Sequence, residues 1–168
     1  SRDGKIYKTT KIGEQCWFAE NLKYTGNGCL SKTWNSDDAG SVDACKANGD
    51  EIHYQWGAAM NGSTTEGAQG LCPSGWHIST DAEWKTLEGT VDSTYGVGSA
   101  VWNKTGWRGN DVGKKLKGTG AGGTDDYGFN ALLAGNRNTG GALFNVGSLG
   151  VWWSSSPSGS FAWSRFVV

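Results

Sequence analysis

Hydrophobic and polar positions along the chain divide it into an early region of short helices and a later region of short strands. Residues 4–12 alternate polar and apolar side chains, which predicts a strand that ends at Gly13. Residues 15–22 have apolar side chains at helical spacing, and a second short helix is predicted over residues 52–60. Residues 24–49 are rich in Gly, Asn, Asp and Ser, with a short helix predicted around 37–46.

The clearest local pattern begins at Thr80. Thr80 and Glu83 have the spacing of a capping box, with Thr80 as the N-cap and Glu83 as the third helical residue. Trp84, Leu87 and Val91 then supply apolar side chains at i, i+3 and i+7. The sequence therefore predicts a helix over about residues 80–90, with one apolar face.

The residue pattern in the later part of the chain predicts a loop region followed by strands. A turn at Pro73 and Gly75 leads into a predicted strand at 76–78, and residues 103–128 form a long loop with one helical turn at Val112–Leu116. Strands separated by Gly or Pro are then predicted at 129–135, 142–147, 150–156 and 161–168. Helices early and strands late predict one α+β domain, residues 1–168, with an antiparallel sheet.

The amino-acid composition excludes some classes of binding partner. The 168 residues include 28 Gly and 10 Trp, and large indole side chains favour a packed, loop-rich fold over a low-complexity chain. Net charge is -1, without the basic stripe that nucleic acid or an anionic membrane would require. No apolar run is long enough to span a bilayer, so no direct membrane insertion is expected.

The cysteines bear on the redox environment. Cys16, Cys29, Cys45 and Cys72 show no CxxC spacing, and with only two His in the chain no zinc site is expected. An even number suits two disulfides in an oxidising compartment, which places the domain outside the cell or on a cell or virus surface. The alternative is four buried free thiols. Four cysteines allow three pairings, and spacing does not choose among them.

Six short motifs follow one another along nearly the whole chain. They are GEQCWFAENL (13–22), YQWGAAM (54–60), CPSGWHISTDAEW (72–84), GTDDYGFNA (123–131), GNR (135–137) and GVWWSSS (150–156). In this order they resemble the Fibrobacter succinogenes major paralogous domain. The resemblance implies a C-type-lectin-like fold close to that of formylglycine-generating enzymes, with short helices packed on a small antiparallel sheet and many Gly-rich loops. It also suggests a Cys29–Cys45 disulfide, which would leave Cys16 and Cys72 as a second pair.

The resemblance further implies a target protein of a diversity-generating retroelement, whose C-terminal cassette is randomised at adenines. Mutating the favoured Asn codon cannot give Lys, Glu, Gln, Met or Trp. Residues 136–168 contain none of the first four, and their three Trp lie at expected scaffold positions. A variable cassette is therefore predicted at about 136–168. The alternative is a fixed domain whose Ser/Gly/Asn-rich loops lack these residues by chance.

Successive residues of a strand face opposite sides, so variable positions should alternate with fixed ones. The candidate variable, ligand-binding positions are Asn136, Asn138, Thr139, Leu143, Asn145, Leu149, Val151, Ser158, Ser160, Phe161, Ser164 and Phe166. The expected fixed partners are Arg137, Phe144, Gly147, Gly150, Trp152, Trp153 and Trp163. Of the adjacent Trp152 and Trp153, one should enter the core and the other should form the floor of the binding surface.

No enzyme activity, catalytic residue or cofactor is predicted. Chemistry of the formylglycine-generating type needs reactive cysteines in the C-terminal half, whereas all four lie at or before Cys72. No His, Asp or Glu follows Asp126 to serve as a general acid or base there. His77 is expected to be a structural, hydrogen-bonded side chain.

A calcium-dependent sugar site is also not predicted, because the Glu-Pro-Asn and Gln-Pro-Asp triplets are absent. Asp125 and Asp126 are expected to bond loop amides, with cation binding as the alternative. The predicted function is a ligand-binding receptor or adhesin domain. A protein ligand is favoured over a glycan because apolar anchors ringed by polar groups suit protein contact. The alternatives are a fixed carbohydrate-binding or adhesion module and a structural spacer.

Overall fold

The computed structural model describes residues 4–24, 45–48, 51–138 and 142–168, with the backbone alone at 45–48. Within these residues each strand pairs antiparallel with its neighbour in sequence, and three short α-helices accompany the resulting hairpins. The strands are β1 (Thr9–Ile12), β2 (Gln15–Phe18), β3 (Cys45–Asn48), β4 (Glu51–Tyr54), β5 (Asn136–Arg137), β6 (Leu143–Phe144), β7 (Gly150–Ser158) and β8 (Phe161–Val167). The helices are α1 (Trp56–Ala59), α2 (Asp81–Val91) and α3 (Val112–Leu116). The predicted α+β class is confirmed, and the C-type-lectin-like topology stays a prediction.

Helix α2 begins as its sequence predicts. The Thr80 Oγ1 atom accepts a hydrogen bond from the Glu83 amide at 3.1 Å, and a Glu83 carboxylate oxygen accepts one from the Thr80 amide at 2.8 Å. This reciprocal pair satisfies two amides that the start of a helix leaves without intrahelical partners. Trp84, Leu87 and Val91 are all buried, so the predicted apolar face is confirmed.

The core lies where the buried face of α2 meets the β1–β2 hairpin, α3 and the last strand. The rings of Trp17 and Trp84 lie 4.9 Å apart, and Phe129 packs 6.0 Å from Trp17. Large aromatic side chains such as these contribute much of the apolar area that a domain of this size buries. The buried core residues are Ile12, Trp17, Trp84, Leu87, Val91, Leu116, Phe129, Ala131 and Val167.

The helix predicted over residues 15–22 is wrong. Gln15–Phe18 is strand β2, paired with β1 through a two-residue turn at Gly13 and Glu14. Gly13 has φ +58°, as a tight hairpin turn of this length requires. Trp17 points into the core while Cys16 is exposed, so the local period is that of a strand.

The helix predicted over residues 52–60 is wrong in its first half. Strand β4 occupies the start of that range, and only Trp56–Ala59 is helical. The helix predicted around 37–46 lies largely outside the described residues, and its last two positions belong to β3.

Later elements agree more closely with the sequence. Helix α3 has the predicted bounds, and three of the four late strand predictions overlap β6, β7 and β8. Residues 129–135 form no strand and carry only isolated bridges, at Ala131 and Gly135. Residues 76–78 follow the predicted turn but are not a strand, and the strand predicted over 4–12 is limited to β1.

The predicted Cys16–Cys72 disulfide is not formed. The Cys16 thiol is free and exposed, whereas Cys72 is buried. The physical reason is the difference in burial, because Cys16 lies on the exposed side of β2 and Cys72 is enclosed, so the two sulfurs do not meet although both residues border one cleft. Cys29 and the side chain of Cys45 lie outside the described residues, so that pairing stays a prediction.

Candidate functional site

The β7–β8 hairpin has one face toward solvent and one toward the core. The cross-strand pairs Val151–Phe166 and Trp153–Ser164 lie on one side, which we call the outer face. Phe166 is 53% exposed, whereas the neighbouring Arg165, on the opposite side, is 6% exposed. The hairpin thus keeps one side for holding the fold and leaves the other available for contacts.

Three serines fasten β7 to the rest of the molecule. A register shift in the hairpin occurs between Trp153 and Pro157, and Ser154, Ser155 and Ser156 are buried there. The Ser155 amide donates to the Ser79 carbonyl at 2.8 Å, and the Ser156 hydroxyl accepts from the Asp81 amide at 2.7 Å and donates to Glu66. These bonds join the irregular part of the strand to the start of α2.

A buried ion-pair network fastens β8 to the same helix. Arg165 lies 2.5 Å from the Asp81 carboxylate and 3.1 Å from Glu88, and Glu88 also pairs with Arg108 at 2.8 Å. Burial raises the pKa of Asp81, but hydrogen bonds from Lys85 and Arg165 outweigh it, so the pKa lies below its ordinary value. Asp81 is therefore charged at neutral pH, in the form that pairs with Arg165.

Trp152 and Trp153 lie on opposite faces of β7. Trp152 packs against the core, with its ring 6.2 Å from Phe129. Trp153 is 37% exposed on the outer face, and its indole N–H donates to the Tyr54 carbonyl at 2.8 Å. Trp153 is thus held by β4 while part of its ring meets solvent.

Eleven of the twelve candidate variable positions fall within the described residues, and none of the eleven is fully buried. Thr139 lies outside the described residues. The exposed positions are Asn138, Asn145, Ser160, Phe161 and Phe166. The half-buried ones are Asn136, Leu143, Leu149, Val151, Ser158 and Ser164.

Candidate asparagines near β5 and β6 also build the local backbone. The Asn145 side chain donates to the Asn136 side chain at 3.0 Å, and Asn145 has φ +58°. Asn138 accepts a hydrogen bond from the Ala142 amide at 2.9 Å. Asparagine tolerates the left-handed conformation and bonds nearby amides, so these positions have a turn-forming role that the sequence pattern did not separate from binding.

The residues expected to be fixed are less uniform in exposure. Gly150 is buried, and an added Cβ there would meet the Leu132 carbonyl at 2.5 Å, which excludes any side chain. Phe144 is 48% exposed, and Gly147 is also at the surface. Exposure alone therefore does not separate the two predicted sets.

A cleft of about 580 Å³ adjoins the outer face, and we call it the aromatic cleft. Its walls include β2, β4, residues 71–79, residues 129–137 and the start of β7. Val151 and Trp153 line one wall and Trp76 lines another, where its ring stacks on Phe18 at 4.4 Å. No local sequence pattern indicates this cleft, because its walls come from segments far apart in the chain.

Polar side chains singled out from the sequence have structural partners. His77 lies 2.8 Å from the Glu83 carboxylate. An Asp125 carboxylate oxygen accepts a hydrogen bond from the Asn130 amide at 2.7 Å, as expected for a residue that fixes a loop. Within the described ranges, His, Cys, Asp and Glu form no cluster of three suited to a metal ion.

The tryptophans differ in environment. Trp17, Trp84 and Trp102 are buried, whereas Trp107 is 72% exposed. The Trp56 indole donates to the Ser154 carbonyl at 2.8 Å, which ties α1 to β7. No helix in the part of the chain that the structure describes has the length and apolar character needed to cross a bilayer.

Comparison with known proteins gives one informative result. No curated protein and no solved structure matches the chain significantly. The Fibrobacter succinogenes major domain matches over residues 10–168, from the second residue of β1 to beyond the end of β8. The chain therefore belongs to the Fibrobacter succinogenes major domain family.

Proposed function

We propose that this chain is a ligand-binding domain of the receptor or adhesin type, whose binding surface is the outer face of β7–β8 with the adjoining β5–β6 turn. The observation that carries the proposal is the difference in burial between alternate residues of the hairpin. Arg165 and Val167 are buried and hold the fold, whereas the alternate positions Ser164 and Phe166 reach solvent. Binding residues can then change without disturbing the core.

The outer face has the chemistry of a protein-binding patch. Phe166 and Trp153 supply aromatic surface, Val151 adds a branched aliphatic side chain, and Ser164 adds a hydroxyl. Exposed aromatic anchors among polar groups are typical of protein interfaces, in which a few large side chains carry most of the affinity. At the hairpin tip, Phe161 is 81% exposed and extends the same type of surface. These features support a protein ligand over a free sugar.

Diversification by a retroelement is the second part of the proposal. The accessibility of all eleven described candidate positions supports it, because substitutions at accessible positions usually change stability by less than about 0.5 kcal/mol. The domain would act outside the cell or on a cell or virus surface, where a varied binding surface meets its ligands. The C-type-lectin-like fold belongs to the same proposal.

Sequencing the 3′ part of the gene across a population of the source organism tests diversification. We expect substitutions at adenine-derived codons of the candidate positions, with Trp152, Trp153 and Trp163 spared. A nearby reverse transcriptase gene and a near-identical template repeat should accompany them. An invariant 3′ end would overturn diversification and favour a fixed carbohydrate-binding or adhesion module.

Binding itself is tested by panning the displayed domain against cell-surface proteins and a glycan array. The variant Phe166→Ser should lose binding to any ligand that is found. Lys104→Ser changes an exposed residue outside the hairpin and serves as the control. Equal binding by both variants would contradict the assignment of the outer face.

A further inference from the structure

The aromatic cleft is separate from the variable positions in most of its walls. Of the eleven candidate positions that the structure describes, Asn136 and Val151 line it, and the remaining lining residues come mainly from scaffold motifs. Its volume of about 580 Å³ lies inside the range of about 300–1,000 Å³ that is usual for small-molecule sites. Apart from these two positions, the described lining would be common to all variants of the outer face.

Many polar groups around the cleft have protein partners, although the His53 Nδ1 and Trp84 Nε1 atoms are buried without one among the described residues. The Trp153 indole N–H donates to the Tyr54 carbonyl at 2.8 Å, and the Tyr54 hydroxyl donates to the Leu22 carbonyl at 3.0 Å. The His53 Nε2 atom lies 3.1 Å from the Ala134 carbonyl, which can only accept, so Nε2 is the protonated nitrogen. The Gln15 side chain is engaged at both ends, by the Trp17 indole and by the backbone of α2.

The small number of unpaired polar atoms in the described lining favours one of two classes of ligand. A sugar exchanges many hydrogen bonds with water for bonds with the protein, and each hydroxyl that finds no partner costs about 1–3 kcal/mol. An apolar ring has no such requirement and gains from contact with aromatic walls. Trp76 at one wall and Trp153 at another offer partly exposed ring surface for that contact.

The environment of Arg137 agrees with a poorly hydrated wall. Arg137 lines the cleft, and burial lowers the pKa of its guanidinium from the ordinary value. Leu71 and Ile78 add aliphatic surface from the segment before α2. The cleft thus combines a mainly apolar surface, with ionisable side chains such as Glu83 and Arg137 in its walls, and a volume large enough for one or two rings.

We infer that the aromatic cleft is a second, constant ligand site that takes a small uncharged molecule with an apolar ring system. The site differs from the outer face in ligand class and in its fixed composition. Apart from Asn136 and Val151, its described lining is made of residues outside the candidate variable set. The shared wall at Val151 lets a substitution from the outer face close the cleft.

The probe is N-phenyl-1-naphthylamine, an uncharged dye whose emission rises in an apolar site. We expect saturable enhancement with the wild-type chain and displacement of the dye by indole but not by methyl glucoside. Val151→Trp places a large ring in the cleft wall and should weaken dye binding at least about tenfold, equivalent to about 1.4 kcal/mol. Ser164→Trp is the matched control on the same outer face, outside the cleft lining, and should change binding less than about twofold.

Three results would overturn the inference. They are absence of saturable enhancement, equal weakening by both Trp variants, and displacement by methyl glucoside in preference to indole. Thermal melts of both variants establish that they are folded, and the indole competition on the wild-type chain does not depend on either variant. An invariant gene with a dye-binding cleft would refute only the diversified surface, and a varied gene without dye binding would refute only this inference.

Discussion

The Arg165 guanidinium lies 2.5 Å from the Asp81 carboxylate, which joins the last strand to the first turn of the long helix. Arg165→Met removes the cation and leaves Asp81 and Glu88 partly buried without it. Because Lys85 still pairs with Asp81 and Arg108 still pairs with Glu88, we expect a loss of about 1.5–3 kcal/mol in the free energy of unfolding. Urea denaturation at pH 7 measures it. Lys11→Met, at an exposed pair with Glu14, is the control and should cost less than about 1 kcal/mol.

Alternation along β8 gives a second prediction. Phe166→Asn changes a side chain that is 53% exposed, whereas Val167→Asn puts an amide at a position that is 7% exposed and belongs to the core. We expect the first change to alter stability by less than about 0.5 kcal/mol and the second to cost more than about 2 kcal/mol. Thermal melts of the two variants compare them directly. Similar losses in both would contradict the assignment of an outer face.

The capping box of α2 gives a third prediction. Thr80→Ala removes the acceptor of the Glu83 amide and should lower the free energy of unfolding by about 1 kcal/mol. Thr86→Ala removes a hydroxyl that bonds the Ala82 carbonyl within the helix, and Ala is the better helix former, so stability should stay equal or rise. Equilibrium denaturation that ranks the two variants the other way would show that the cap is not stabilising.

Two helical glycines should respond in opposite directions to alanine. A Cβ at Gly89, in α2, would lie 2.6 Å from the Val97 backbone, so Gly89→Ala should destabilise the fold by about 1–3 kcal/mol. At Gly113, in α3, the nearest atom would be 3.9 Å away, and Gly113→Ala should stabilise by about 0.5–1 kcal/mol through lower chain entropy. Denaturant midpoints report both changes. A stabilising Gly89→Ala would mean that the loop at Val97 does not pack on α2.

The hydrogen bonds of Asp111 predict how the stability of the fold changes at acidic pH. Hydrogen bonds from the Ser93 hydroxyl and amide lower the pKa of Asp111 to about 2. A carboxyl whose pKa is lower in the folded state than its unfolded value of about 4 stabilises the fold above about pH 4. That contribution is lost as pH falls toward about 2. Ser93→Ala should therefore raise the pKa of Asp111 in an NMR titration and reduce the stability lost between pH 4 and 2. An unchanged titration would refute the role of Ser93.

The sequence predicted best where a local rule fixes structure by itself. The capping box placed the start of α2, and helical spacing identified Trp84 and Val91 as buried. At β2 the predicted helix is wrong, because a short apolar run fits a helix or a strand and a single Gly can end a strand or begin a hairpin turn. The pairing of β2 with β1 settles the conformation, and that pairing is a tertiary property.

The same contrast between local and long-range features holds for the candidate site. Alternation along β7 correctly placed Trp152 and Trp153 on opposite faces, because period two is a property of any strand, but it did not tell which of the two enters the core. The register shift at Ser154–Ser156 and the aromatic cleft could not be inferred. Both depend on distant segments, as in the bond between Ser155 and Ser79, which are 76 positions apart.

The ion pair between Arg165 and Asp81 also determines how late in synthesis the protein can complete its fold. These residues are 84 positions apart, so the first turn of α2 leaves the ribosome long before its partner strand. Until Arg165 has emerged, Asp81 and Glu88 lack their shared cation, and the core lacks Val167. A nascent chain interrupted by a stop codon within the last strand would therefore not reach the native state. Folding of the domain therefore requires a reading frame that stays open through β8.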